Sequence, residues 1–156
     1  MADFVLISDN NFLKIRKQIR ESSGKRIAFY SEDDELNRKV LEKEKFDILL
    51  LGLKRRKDFQ KQRNSGLNQV LANIAKKQKT SIGILLDELV NSEGKEKSDV
   101  LGRLKQNIEL CKKNNLKMNF ICLNYENKRN VYDLRSLGLV LGMPTSMVKS
   151  LNIYLK

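Results

Sequence analysis

Short apolar runs alternate with amphipathic stretches along the chain, and this alternation restricts the fold more than any other feature. Phe4–Ile7, Arg26–Tyr30, Ile48–Leu51, Ser81–Leu86 and Met118–Leu123 read as strands. Between them apolar residues recur at helical spacing. Phe12, Ile15 and Ile19 share one face, as do Leu36, Val40 and Leu41. Leu67, Val70, Leu71 and Ile74 mark a third stripe, and Val100, Leu104, Ile108 and Cys111 the longest helix.

Strands alternating with helices imply parallel β/α units joined by right-handed crossovers. A complete eightfold barrel usually takes about 250 residues, and 156 residues leave room for five or six units. The expected fold is therefore α/β, an open sheet or a shortened, incomplete TIM-barrel-like fold, in a single domain over 1–156. Its last segment, 132–156, reads as helical, with Asp133–Leu141 and Thr145–Leu151 flanking Gly142-Met143-Pro144. Asp9 is the expected N-cap of the first helix, and Ser31 with Asp34 the capping pair of the second. The acidic run Glu32–Glu35 then complements that helix's dipole and serves structure, not metal binding. Asn91–Asp99 reads as a polar loop. Cys111 and Cys122 fall within apolar patterns and are expected to be reduced core thiols.

Residues 54–63 read KRRKDFQKQR directly after the apolar run Phe46–Leu51, so they form the loop leaving the third strand's carboxyl end. Ligands of α/β folds bind at that edge. Lys54, Arg55, Arg56, Lys57, Lys61 and Arg63 can each contact phosphate, and Phe59 can stack on an exposed base or cover the barrel end. Lys128, Arg129 and Arg135 follow the fifth strand, so a parallel sheet puts both groups on one basic face. Lys76, Lys77 and Lys79 lie at a helix's other end, where the dipole favours them as solvated charges. The chain carries 31 Lys and Arg against 19 Asp and Glu, a net charge of +12 without histidine. Such an excess favours an anionic partner.

Catalytic signals are sparse. Histidine, the commonest general acid/base, is absent. Carboxylates at strand ends amount to Asp9, Asp87 with Glu88, and Glu126, and neither a P-loop nor a dinucleotide fingerprint occurs. Gly138 and Gly142 have G-x-x-x-G spacing that close packing explains. No signal peptide and no run long enough to span a bilayer is evident, so the expected location is cytoplasmic, away from any membrane.

RNVYDL at 129–134, the following RSLGLVLGM, the strand NFICLN, the helix KKNNLKMN and the segment SGLNQVLANIAKKQKTSIGILL resemble, in order and spacing, ribonuclease P protein component 3. That family comprises archaeal and eukaryotic subunits with a barrel-like fold. The resemblance covers about Phe46–Lys156 well and 1–45 loosely. Val131 stands where the family pattern has proline, and Gly66-Leu67-Asn68 where it tends to Gly-Ile/Val-Asp. The family's opening β/α segments have no counterpart, so the barrel is expected to fall short of closure. The resemblance implies a non-catalytic, RNA-binding accessory subunit of a ribonucleoprotein. Its partner would be ribonuclease P RNA, which removes 5′ leaders from precursor tRNA with its own bound Mg2+, so the protein itself holds no cofactor. It further implies pairing with ribonuclease P protein component 2, often as a heterotetramer, and only indirect contact with precursor tRNA. Arg129 carries over as the motif arginine contacting RNA, and Asp133 as its acidic partner and helix cap. The alternatives are a degenerate metal-dependent phosphoesterase on a related β/α barrel, using Asp87, and a sheet-based interaction module that dimerises through its C-terminal helices. For partner contacts, helix Leu134–Leu141 is the first candidate surface.

Overall fold

The computed structural model describes residues 4–156. Its strands are β1 Phe4–Ile7, β2 Arg26–Tyr30, β3 Ile48–Leu51, β4 Ser81–Leu85, β5 Met118–Cys122 and β6 Ile153–Leu155. The connecting helices are α1 Phe12–Glu21, α2 Asp34–Lys43, α3 Gln69–Gln78, α4 Leu86–Asn91, α5 Gly94–Asn114, α6 Val131–Val140 and α7 Thr145–Ser150. The strands form one parallel sheet in the order β1-β2-β3-β4-β5-β6. Since the order never reverses, right-handed crossovers place the helices on one face, and the sheet curls with its bare face inward. The result is a nearly closed barrel-shaped sheet whose edges are β1 and β6.

Period-two alternation splits each strand between two cores. Outward residues such as Ile7, Phe29, Leu49, Leu51, Ile82 and Phe120 pack beneath the helices. Inward residues Ala28, Ile48, Leu50, Ile121 and Tyr154 fill the barrel. There is little room inside, since a Cβ on Gly83 would stand 2.9 Å from Ile48 Cγ2. Tyr154 joins the two edges across this interior. Its ring meets Phe4 edge-on at 6.3 Å, lies 4.9 Å from the Arg26 guanidinium, and its hydroxyl accepts a hydrogen bond from Arg26.

The β/α alternation runs as the periodicity predicts, with four local differences. First, the caps are displaced. Asn11 caps α1, Asp33 caps α2 and Asn130 caps α6, in place of Asp9, Ser31 with Asp34, and Asp133. Second, α4 follows β4 without a loop, and α5 begins at Gly94, inside the expected polar loop. Its first turn faces water, so no apolar period marks it before the buried Val100. Third, segment 132–156 is not wholly helical, because β6 completes it. Fourth, Val70 is half exposed, and Leu71, Ala72 and Ala75 form the buried face of α3 instead. The paired glycines also part company. Gly138 is packed against Met143 Sδ, 2.8 Å from where its Cβ would lie, whereas Gly142 has φ +102 just beyond α6. Both cysteines are buried in the outer core, and burial pushes the Cys111 thiol up to about 12. Among the described residues, no helix is long and apolar enough to cross a membrane.

Phe29 is fully buried and stacks edge-on against Phe46. Phe29→Ala is expected to cost about 3–5 kcal/mol in urea unfolding. Val140→Ala, at a site 82% exposed, should stay within about 0.5 kcal/mol.

Candidate nucleic-acid interface

Each strand's carboxyl end opens on the same rim. The β3 connection occupies it from Gly52 to Asn68 without regular secondary structure. Connections this long are uncommon in compact domains unless functional. This one is fixed by two cations turned inward. Arg103 lies on the buried stripe of α5, 5% exposed. It donates to the carbonyls of Leu53 (2.9 Å) and Arg56 (2.8 Å) and to Asp58 Oδ1 (3.1 Å). Arg56, its side chain 10% exposed, grips both Asp34 carboxylate oxygens at 2.9–3.1 Å. It also donates to the Gly52 carbonyl and to Asn64 Oδ1. Gly66 (φ +75) lies flat against it, with a Cβ there only 2.5 Å from Arg56 Nη2. Gln106 and Asn107 of α5 hold the carbonyls of Arg63 and Ser65.

Carboxylates complete the frame. Glu88 accepts from the Leu53 amide at 2.7 Å, and burial raises its carboxyl above the ordinary value. Asp87 accepts from the amides of Leu123 and Asn124 and from Asn127 Nδ2 at 2.7–2.9 Å. Burial pushes its carboxyl up, but these bonds outweigh it and leave it below the usual range. Asp9 accepts from the Asn11 amide. Asp9 and Asp87 are thus each occupied by their own loop. Among the described residues, no group of three or more His, Cys, Asp or Glu is arranged to hold a metal.

The expected basic face therefore divides. Arg56 is an internal clamp, and Arg63 pairs with Asp99 at 3.2 Å over α5. Lys54 makes a weak 3.8 Å pair with Glu96. Arg135 turns to the carbonyl of Leu151, below β6, and stacks 5.8 Å from the Tyr132 ring. Arg55, Lys57 and Lys61 are exposed and enter no ion pair among the described residues, and the same holds for Lys128 and Arg129. Arg55 takes a left-handed backbone (φ 56) at the crest of the loop. Phe59 is 58% exposed beside these cations. Tyr125 and Tyr132, 67% and 69% exposed, extend the set across the β5 connection, with Lys128 5.2 Å over the Tyr125 ring. Below the loop crest a cleft of about 450 Å³ is lined by Tyr30, Glu32, Arg55, Lys57, Asn64 and Glu88. Its charge is mixed, whereas cations predominate on the crest, where the exposed acids are Asp58, held by Arg103, and Glu126. Cations interleaved with exposed rings can bind phosphates and stack bases together. The two tyrosines went unnoticed in the sequence because nothing in their spacing separates a rim ring from a core ring. Arg103 was missed as well, although a signal for it exists, since a cation on an apolar stripe must find buried acceptors.

Fold and rim together define a barrel-type β/α protein with a surface suited to polyanions. Over 110 residues, 70% of its length, the chain is 36% identical to ribonuclease P protein component 3 of Methanosarcina acetivorans. It is 35% identical over the same length to the Methanosarcina mazei protein of that name. Ribonuclease P protein component 3 is thus a homologue of this chain over the matched segment. The match spans 41% of each relative. The fold also superposes, with a TM-score of 0.75 and 24% identity, on a chain of the cryo-EM structure of archaeal ribonuclease P with mature tRNA, covering 94% of this chain and 62% of that one. No protein-family model matches the chain.

Arg103→Met should destabilise the protein by at least about 2 kcal/mol, because it orphans two carbonyls. The Arg103 guanidinium, followed by the Asn64 amide, holds the Asp58 carboxyl below its ordinary value. A depressed carboxyl stabilises the fold above its unfolded value, about 3.9, and that contribution is lost as pH falls through the folded value. Hydrogen exchange of residues 54–66 should therefore lose protection below about pH 4, and Asp58→Asn should remove this dependence.

Proposed function

We propose that this chain is an RNA-binding accessory subunit of ribonuclease P. The observation that carries the proposal is the unpaired cationic crest with its exposed rings, standing on the homologous scaffold. The crest neutralises phosphates near the RNA's catalytic core and stabilises its compact form at lower Mg2+. Removal of 5′ leaders from precursor tRNA is then chemistry of the RNA and its bound Mg2+, and the protein contributes no catalytic group. Precursor tRNA is met through the RNA. Ribonuclease P protein component 2 is the proposed protein partner, in a heterotetramer and in the cytoplasm. Exposed Leu139 and Val140 on α6 give that contact an apolar surface.

Arg55, Lys57, Lys61, Lys128 and Arg129 carry the RNA contact, with Lys54 and Arg63 at its margin. Arg56 acts by holding the loop. Reversing Arg55, Lys57 and Lys61 to Glu should abolish activation of the reconstituted enzyme while circular dichroism stays unchanged. The log–log salt slope of RNA binding should flatten by about 0.7–0.9 per lost contact. Unchanged activation and slope would remove the crest from the RNA interface.

A further inference from the structure

The opposite end of the barrel, where the strands begin, carries a cation surface that the proposed function does not use. The helix termini supply part of it, with Arg20 in the last turn of α1, Lys43 in that of α2, Lys76 and Lys77 in that of α3, and Lys112 and Lys113 in that of α5. The loops add Lys25, Lys45, Lys79 and Lys117, each placed one to three residues before β2, β3, β4 and β5 respectively. All of these side chains are exposed, and none forms an ion pair among the described residues. The nearby acids are engaged elsewhere. Glu44 pairs with Arg16 at 2.8 Å, Glu42 with Arg38 at 2.9 Å, and Glu21 with Lys17 at 3.7 Å. Asp47 accepts from the Ile27 amide at 2.8 Å.

Helix dipoles do not account for this charge. A helix C-terminus is equivalent to about half a negative charge, so the termini of α1, α2, α3 and α5 offset about two cations. The remainder repel one another at some cost to stability. Shape supports a ligand as well. One recess of about 690 Å³ is walled by the cations Arg20, Lys25, Lys43, Lys45 and Lys79, which outnumber its two acids, the Arg16-paired Glu44 and the amide-bonded Asp47. A second, of about 320 Å³, is walled by Lys76, Lys79 and Lys117 with Thr80, Ser81 and Asn115. Lys79 borders both, so they form one track. With neighbouring strands about 4.8 Å apart, the strand-entry lysines from β2 to β5 make a row about 15 Å long.

We propose that this track binds the phosphate backbone of a second RNA segment, so that the protein bridges two parts of a folded RNA. This rests on the RNA-binding reading above but on a different set of residues. A membrane surface fits less well, because none of the exposed large apolar side chains lines either recess, and interfacial binding needs such groups beside the cations.

The test uses two short RNA duplexes with different fluorophores, and full-length protein. Wild type should bring both duplexes into energy transfer. Lys76→Glu/Lys79→Glu/Lys117→Glu should abolish transfer and flatten the salt slope by about 2–3, yet still bind one duplex. A crest variant, Lys57→Glu/Lys61→Glu/Arg129→Glu, should behave likewise. Glutamine versions of both sets, folded by circular dichroism, should show the same pattern more weakly. Undiminished transfer and slope in the track variants would overturn the proposal, as would lost binding to phosphatidylserine vesicles with RNA binding intact. If only the crest variant is silent, the track stands and the crest reading fails.

Discussion

Two inward-turned guanidinium groups, Arg103 buried and Arg56 nearly so, decide what the rim can do. Arg103 and Arg56 tie the backbone carbonyls of a long, irregular connection to α5 and α2. A buried cation is tolerated only when its donors are used, and here carbonyls and carboxylates use them. The loop is thereby pinned to the scaffold; of its other cations Lys54 and Arg63 pair with Glu96 and Asp99 of α5, and Arg55, Lys57 and Lys61 face outward. Gly66 belongs to the same device, since both its positive φ and its contact with Arg56 require the absence of a side chain.

The barrel supplies the platform. A singly wound parallel sheet sends every connection that follows a strand to one rim and every connection that precedes one to the other. Both ends of this molecule thereby gather residues distant in sequence. At the rim, fixed carboxylates offset part of the positive charge and leave a crest of cations and rings. At the opposite end the nearby acids are held by helix-surface pairs or, for Asp47, by the Ile27 amide, and the lysines enter no ion pair among the described residues.

Much of this was readable from residues alone. Strand positions, the order of β/α units and the placement of the basic run on the carboxyl-end rim followed from apolar periodicity. What escaped was short or polar. β6 spans only Ile153–Leu155, below the length at which a period is visible. The start of α5 is solvated and has no stripe. The caps were placed within one to three residues, since several oxygen-bearing side chains crowd each turn and backbone angles choose among them. The displaced residues took neighbouring tasks. Asp9 and Ser31 accept amides beside the true caps, and Asp34 is left available to hold Arg56. The largest change concerns Arg56 and Arg63. Within a run of cations, composition cannot tell which face the interior.

Crest cations are expected to meet RNA phosphate, while the solvent-facing sides of α1 and α5 between their ends stay free of it. Lysine acetylation footprinting by mass spectrometry, with and without bound ribonuclease P RNA, addresses it directly. Lys57, Lys61 and Lys128 should become protected, and Lys14 and Lys105, exposed on α1 and α5, should react as before. Equal reactivity of the crest lysines in both states, with protection confined to Lys14 and Lys105, would place the RNA elsewhere and overturn the crest as its contact.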